Sequence, residues 1–173
     1  MPGSPEEAAD VATLREVATS ADPWDRSAPV HLTGSALVLH PPSRRALLRW
    51  HERQQAWIQV GGHGDPGEED PLEVALREAR EETGLTDLVP WPDADDAIPV
   101  HAVIVPVPGR GEEPAHQHGD VRYLLATDRP DDAAPEDGTA ALWWLPVEEA
   151  IALTAEDNVR ITLQRAADLL DRR

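Results

Sequence analysis

A glycine-rich segment that leads directly into an acidic helix constrains this chain more than any other feature: GGHGDPGEEDPLEVALREAREETGL, residues 61–85. Asp70 followed by Pro71 supplies an N-cap and a proline at the first helical position, and Gly84 stands where a left-handed residue ends a helix. The four glycines ahead of Asp70 predict a tight turn whose backbone groups can approach a ligand. Residues 57–60 predict a short strand, so the expected order is strand, glycine turn, helix.

The predicted helix separates apolar from acidic side chains. Its apolar residues share one sector at helical spacing and should face the core: Leu72, Ala75, Leu76 and Ala79. Glu78, Glu81 and Glu82 form a neighbouring stripe, although such like-charge pairs repel and the last turn of a helix disfavours anions. A hard divalent cation such as Mg²⁺, which takes oxygen ligands, explains carboxylates that converge in this way. The alternative is a solvated acidic face in a very acidic protein.

The excess of acidic over basic residues limits the kinds of partner that the chain can bind. Lys and Arg number 15 and Asp and Glu number 33, which gives a formal net charge of −18. Nucleic-acid backbones and anionic membranes require basic patches, so we expect neither duplex nucleic acid nor a membrane as partner. A phosphorylated ligand is also disfavoured unless bound cations invert the local field. The absence of cysteine excludes disulfides, thiolate catalysis and zinc–thiolate sites.

Residues 62–85 resemble the Nudix box, G-x5-E-x7-R-E-U-x-E-E-x-G-U, in which U is a bulky aliphatic residue. The run from Arg77 onward matches its second half, with alanine at the first aliphatic position. Gly62 and Glu68 match G-x5-E, but one extra residue then separates Glu68 from Arg77. Counting from Glu69 restores the spacing and puts a histidine where the glycine belongs. The extra residue lies in the turn before the helix, so it does not change the spacing of the helical positions. We favour Glu68 as the first glutamate of the box.

The resemblance implies an α/β fold, the Nudix α/β/α sandwich around a mixed sheet, over residues 31–173, with residues 1–30 as an N-terminal helical extension. It implies a divalent-metal-dependent pyrophosphohydrolase, with Mg²⁺ or Mn²⁺ as cofactor. The substrate would be a nucleoside diphosphate derivative or a similar small organic diphosphate, attacked by water at phosphorus. One alternative is a catalytically silent nucleotide-binding or regulatory Nudix domain. A diphosphate isomerase is the other, and the absence of cysteine argues against it.

The resemblance also distributes roles over the box. Four metal ligands are implied, namely Glu78, Glu81, Glu82 and the Gly61 carbonyl. Glu81 is in addition the group expected to accept the proton of the attacking water. Glu68 and Arg77 are expected to clamp the turn to the helix and so position the ligands.

The rest of the chain predicts helices at both ends of one mixed α/β domain. The expected helices cover residues 4–20, 146–153 and 156–173, and the first should bury Ala8, Val11, Leu14 and Val17. The expected strands cover residues 31–40, 45–50, 98–107, 121–126 and 140–145. Polar or acidic loops are expected at residues 89–96, 108–118 and 128–138.

A histidine-rich segment supplies a second set of candidates. His116, His118 and Asp120 alternate, so on a strand they share one face and can bind a metal or contact substrate phosphate. His63 joins them because similar H-x-H-x-D segments occur in Nudix proteins whose glycine loop also contains G-G-H. The alternative is a polar junction between loop and strand. We expect His31, His40 and His101 to be ordinary surface or core histidines.

Tryptophan provides a candidate for base stacking. Trp57, just before the glycine turn, can stack on a nucleobase, although a strand tryptophan is more often core. Trp143 and Trp144 are neighbours on a strand and cannot face the same core layer. Other residues that could face the site are His51, Gln59 and the loop acids Glu112, Glu113 and Glu136.

The expected partner is a small-molecule diphosphate, and the expected location is the cytoplasm. No apolar run approaches the ~18 residues that span a bilayer. Nudix proteins are often dimers, and the N-terminal helix is a candidate homodimer contact.

Overall fold

The computed structural model describes residues 3–136 and 140–172. Within those ranges the chain forms four α-helices and eight strands, here in chain order: α1 (Pro5–Ala18), β1 (Val30–His40), β2 (Arg45–His51), β3 (Ala56–Ile58), β4 (Val60–His63), α2 (Pro71–Thr83), β5 (Val89–Pro90), β6 (His101–Val107), β7 (His116–Ala126), β8 (Leu142–Pro146), α3 (Val147–Leu153) and α4 (Asp157–Leu170). The predicted ends of the last helix at 173 and of the acidic loop at 138 lie outside the described residues. No helix in the described part of the chain is long and apolar enough to cross a membrane.

The strands form one mixed sheet in which β1 is central. β1 runs parallel to β7 along almost its whole length, with Val30 opposite Gln117 and Leu39 opposite Ala126. On its other side β1 pairs antiparallel first with β4 and then with β2. The remaining strands extend this core: β6 and β5 pair with β7, while β3 and β8 pair with β2.

Each face of the sheet is covered by helices, as alternating burial along β1 shows. Leu37 and Leu39 point into a core shared with Leu163 and Ala166 of α4. Their neighbours Ala36 and Val38 point the other way, into a core that includes the following α2 residues: Ala75 and Ala79. Because side chains alternate across a strand, one central strand serves both layers. The predicted α/β/α sandwich around a mixed sheet is confirmed.

Helix α2 begins and ends at the predicted residues. The Asp70 side chain accepts a hydrogen bond from the Leu72 N–H, Pro71 opens the helix, and Gly84 closes it in the left-handed region at φ 69°. Ala75 and Ala79 are buried, whereas Leu72 and Leu76 are partly buried at the margin of the same core.

The N-terminal helix packs on its own sheet. The Ser4 side chain caps α1 by accepting from the Glu7 N–H, and the Leu14 side chain lies against the strand backbone at Gly119. Ala8 is exposed, contrary to prediction, and Glu7 is buried in its place because it pairs with Arg165 of α4.

Three of the predicted strands differ from the structure by more than two residues at one end or are divided. β7 begins at His116 rather than 121, since its first residues pair with both β1 and β6. β6 begins at His101 rather than 98, and Ile98 is exposed. The strand predicted over 57–60 is divided at Gln59, where the chain leaves β2 to pair with β1.

Candidate functional site

The glycine turn brings β4 close to β1 and α2. A Cβ at Gly61 would lie 2.6 Å from the Ser35 Cα, and a Cβ at Gly62 would lie 2.5 Å from Glu78 Oε1. The Gly61 N–H donates to Glu82 Oε2 at 3.0 Å, and the φ of Gly61 is +147°. Only glycine fits these positions without displacing a neighbour. The turn is therefore shaped around two carboxylates of α2.

Arg77 joins the turn to the helix through Glu68. Its Nε and Nη2 donate to the two carboxylate oxygens of Glu68 at 2.9 and 3.0 Å. The same carboxylate accepts from the Asp65 N–H at 2.7 Å, and the Arg77 hydrogen bond is the largest cause that lowers the pKa of Glu68. Glu69 is exposed. Glu68 is thus the residue that holds Arg77, despite the extra residue between them.

The remaining donors of Arg77 reach the acidic stripe. Its Nη1 donates to Glu78 Oε1 and Glu81 Oε2, each at 3.0 Å, and its Nη2 donates to the His63 carbonyl at 2.8 Å. One guanidinium therefore contacts both the glycine turn and two of the candidate metal ligands.

The three helical glutamates differ in environment. Burial is the largest cause that raises the pKa of Glu78 and of Glu82, and the Glu78 charge further raises that of Glu82. Arg49 Nη1 lies 3.2 Å from Glu82 Oε1. The Glu81 side chain is 49% exposed. In the described part of the chain these carboxylate oxygens do not gather into a three-ligand group.

A cavity of about 1030 Å³ opens beside the turn, and Glu82, Gly61 and Gly62 form part of its wall. Basic side chains that the sequence did not identify also line it: Arg49, Arg53, Arg110 and Arg122. Arg49 follows three buried apolar residues on β2, so the sequence pattern of that strand carries no signal that marks it as a site residue. Arginines beside buried carboxylates make the cavity suitable for an anionic ligand held with a cation.

His51 and Gln59 line the same cavity. Gln59 is 7% exposed, and its Nε2 lies 3.5 Å from Asp120 Oδ2. Its Oε1 is buried without a hydrogen-bond partner in the described part of the chain. An acceptor left in this state is costly, so Gln59 presents a group for a donor on a ligand or water.

Asp120 lies in β7, one residue before the predicted start of that strand, and its carboxylate accepts hydrogen bonds from protein donors. Its Oδ1 accepts from the hydroxyls of Thr33 and Ser35 at 2.9 and 2.7 Å, and its Oδ2 accepts from Arg122 Nε at 2.7 Å. Both members of the Asp120–Arg122 pair are buried. A contact between Asp120 and substrate stays a prediction.

The predicted histidines meet at the other end of the same sheet face. His63 Nε2 lies 3.2 Å from His118 Nε2, which lies 3.2 Å from His116 Nε2. His31, expected to be an ordinary histidine, belongs to this group, because its Nε2 lies 3.2 Å from His63 Nε2. Burial is the main cause that lowers the pKa of His63 to about 4 and of His118 to about 3.

Trp57 is not among the cavity-lining residues of the described chain. Its ring contacts Trp50 and Trp143 edge-to-face, with centroids 5.5 and 5.3 Å away. Trp144 faces the opposite side and donates to the Pro130 carbonyl, as the alternation of β8 requires. Stacking of Trp57 on a base stays a prediction that this aromatic cluster does not favour.

Two of the loop acids have contacts near the site. Glu113 pairs with Arg53 at 2.9 Å, and the charge of Glu136 contributes to the raised pKa of Glu82.

Comparison with known proteins identifies this arrangement. A family model described as the NUDIX domain matches residues 30–165. Among solved structures, the C. elegans Ap4A hydrolase binary complex has a TM-score of 0.64 at 19% identity and covers 82% of this chain and 98% of its own. The E. coli dihydroneopterin triphosphate pyrophosphohydrolase has a TM-score of 0.58 at 18% identity, with 84% and 97% covered. A NUDIX-family hydrolase from Clostridium perfringens has a TM-score of 0.56 at 22% identity, with 82% and 97% covered. No curated protein matches the sequence.

Proposed function

The chain belongs to the Nudix hydrolase family, and on that premise we propose that it cleaves the diphosphate linkage of a nucleoside diphosphate derivative or a similar small organic diphosphate. One observation carries the proposal. Glu78 and Glu82 are packed against the Gly61–Gly62 turn beside a cavity of about 1030 Å³ that arginines line. The arrangement joins acids that suit a cation with bases that suit a phosphate.

The residues of the turn fit a hard divalent cation, and we propose Mg²⁺ or Mn²⁺. Burial and neighbouring carboxylates disfavour the charged forms of Glu78 and Glu82, so a cation bound to them relieves both effects. The proposed ligands are Glu78, Glu81, Glu82 and the Gly61 carbonyl. When bound, the cation supplies charge neutralisation at the diphosphate and acidifies the attacking water.

The chain's own residues perform the remaining steps. Arg49 and Arg53 line the cavity and bind phosphate oxygens. Glu81 is the most exposed of the three glutamates, so its carboxylate accepts the proton of the attacking water. Arg77 and Glu68 keep α2 in register with the turn throughout.

The expected cytoplasmic location and homodimer complete the proposal. A nucleoside diphosphate derivative or similar small diphosphate as substrate is consistent with the cytoplasmic location. Sedimentation of the purified chain at several concentrations tests the second, and a monomer throughout contradicts it.

A panel of nucleoside triphosphates, nucleotide sugars, dinucleotides and allylic diphosphates tests the activity. Each compound is incubated with the full chain and Mg²⁺ or Mn²⁺, and the products are identified by phosphorus NMR. We expect hydrolysis of at least one member that stops when a chelator is added. Binding without turnover across the panel contradicts the hydrolase and indicates a silent domain, whereas interconversion of an allylic diphosphate without hydrolysis indicates an isomerase.

A further inference from the structure

Three strands bring histidines together on one face of the sheet. His31 of β1 stands directly opposite His118 of the parallel strand β7. His63 of β4 stands opposite Thr33, two residues along β1 from His31 and therefore on the same face. His116 lies two residues before His118 on β7. The cluster is a product of strand pairing, since its members are far apart in the sequence.

The separations within the cluster suit coordination of one ion. His63 Nε2 lies 3.2 Å from both His31 Nε2 and His118 Nε2, and the ligand atoms of these three residues all lie within 4.8 Å of one another. A tetrahedral ion with Zn–N bonds of about 2.0–2.1 Å separates its nitrogen ligands by about 3.3–3.4 Å. Two of the three pairs therefore already have nearly the required spacing.

The hydrogen-bond partners of the ring nitrogens indicate that Nε2 lone pairs point toward the centre of the histidine cluster. The Nδ1 atoms of His31 and His116 lie 3.3 and 3.0 Å from the carbonyls of Ala28 and Pro114, which only accept, so we assign the ring hydrogen of each histidine to Nδ1. The three Nε2–Nε2 contacts would need three hydrogens to be hydrogen bonds. Only His63 and His118 can supply one each, so at least one contact joins nitrogens with no hydrogen bond between them.

A backbone carbonyl behind the imidazole is also the usual partner of a metal-bound histidine. It fixes the tautomer and directs the other ring nitrogen at the ion.

We propose that the Nε2 atoms of His31, His63 and His118 form a binding site for a transition-metal ion such as Zn²⁺ or Co²⁺, with His116 beside it. Imidazole nitrogen suits such ions and does not suit Mg²⁺, which prefers oxygen. The site is thus chemically distinct from the glutamates of α2 and does not depend on the proposed hydrolysis. His63 and His118 also line the cavity, so a three-histidine site leaves a coordination position for a ligand there.

Cobalt binding in the presence of excess Mg²⁺ tests the site. Mg²⁺ saturates carboxylate sites, and Co²⁺ held by nitrogen ligands then shows visible absorption bands. Titration of the full chain should give one Co²⁺ per chain, displaced by Zn²⁺. His63→Asn and His118→Asn should each weaken Co²⁺ binding at least about a hundredfold, since each removes a ligand from the ion itself.

Two control variants accompany the cluster variants, one at a histidine outside the cluster and one at a glutamate of α2. His40→Asn changes a histidine on β1 that hydrogen-bonds Ser43 outside the cluster, and it should leave Co²⁺ affinity unchanged. Glu82→Gln should also leave it unchanged. The thermal midpoint of each variant is measured without metal, and His63→Asn and His118→Asn act on different strands in case one fails to fold. Absence of stoichiometric Co²⁺ binding by the unaltered chain overturns the proposal, as does full retention in either cluster variant or loss in Glu82→Gln.

Discussion

Single residues decide how closely the acids of α2 approach the turn. A side chain at Gly62 would displace the Glu78 carboxylate, and the Gly61 N–H donates a hydrogen bond to Glu82. The two glutamates are four residues apart on the helix, so one face of α2 delivers both. Like charges four residues apart destabilise an isolated helix, and the cation that we propose there would offset this repulsion.

Substitution of Glu68 tests the clamp. Glu68→Gln removes the charge and leaves one carbonyl oxygen as acceptor for the guanidinium of Arg77. Because α2 is then held less firmly against the glycine turn, we expect the catalytic rate to fall roughly 10- to 100-fold. Steady-state kinetics with Mg²⁺ as cofactor is the measurement. Glu69→Gln, a change of the exposed neighbour, should have the full rate. Equal effects of the two substitutions would show that Arg77 does not depend on Glu68.

Which residues would meet was only partly predictable from the sequence. The helical spacing of Glu78 and Glu82 depends on local geometry alone, so it could be read from the chain. His31 was missed because its relation to His63 and His118 depends on the register of three strands, and one sequence does not specify that register. Arg49 was missed because its partner Glu82 lies on α2, and the sequence alone does not specify how that helix packs against β2.

Among the helices and strands, an element whose ends are marked by capping residues was predicted most accurately. Asp70, Pro71 and Gly84 determine α2 locally, and its limits are as expected. β7 was predicted too short because its first residues, HQHG, are polar or lack a side chain and have no apolar alternation. They extend the strand because β1 and β6 flank them on both sides, which is a tertiary effect.

The docking of α1 should depend on pH through Glu7. Hydrogen bonds from Arg165 are the largest cause that lowers the pKa of Glu7 from 4.5 to about 2, with smaller contributions from the Gly3 N–H and the nearby His101. A carboxyl with a lowered pKa in the folded state stabilises that state fully above pH 4.5, and the contribution is lost as the pH falls toward 2. Its upper limit is about 3 kcal/mol.

Chemical denaturation across this pH range measures the effect. Glu7→Gln should lower the free energy of unfolding at pH 7, and its difference from the unaltered chain should shrink between pH 5 and pH 2. Glu16→Gln, at an exposed position of the same helix, should show neither change. A difference that does not vary with pH would exclude the ion pair as its cause.

The whole molecule combines a strongly acidic surface with a cavity lined by arginines. A net charge of −18 opposes phosphate binding at long range, whereas Arg49, Arg53 and Arg110 favour it inside the cavity. Cations bound at the glutamates, as we propose, would change the sign of the local field. Phosphate binding should accordingly require metal.

A buried ion pair connects the layers of the sandwich. Arg122 of β7 donates to Asp120, to the carbonyl and side chain of Asn158, and to Thr162, which joins the sheet to α4. Arg122→Met leaves Asp120 buried without its charge partner, and we expect a loss of about 3–5 kcal/mol in the free energy of unfolding. Arg129→Met removes an arginine whose side chain is 60% exposed and should cost less than about 1 kcal/mol. Denaturant titration compares the two, and similar losses would contradict the structural role of Arg122.

The most direct test of the proposed chemistry is the Mg²⁺-dependent rate of diphosphate cleavage by Glu82→Gln. The amide retains the hydrogen bond from the Gly61 N–H but loses the charge that a cation needs, so the fold should persist. We predict a fall of at least about a hundredfold in the rate, with a thermal midpoint close to that of the unaltered chain. Glu73→Gln, an exposed position on the same helix, should retain the full rate. An unchanged Mg²⁺-dependent rate in Glu82→Gln would contradict the assignment of α2 as the metal-binding element.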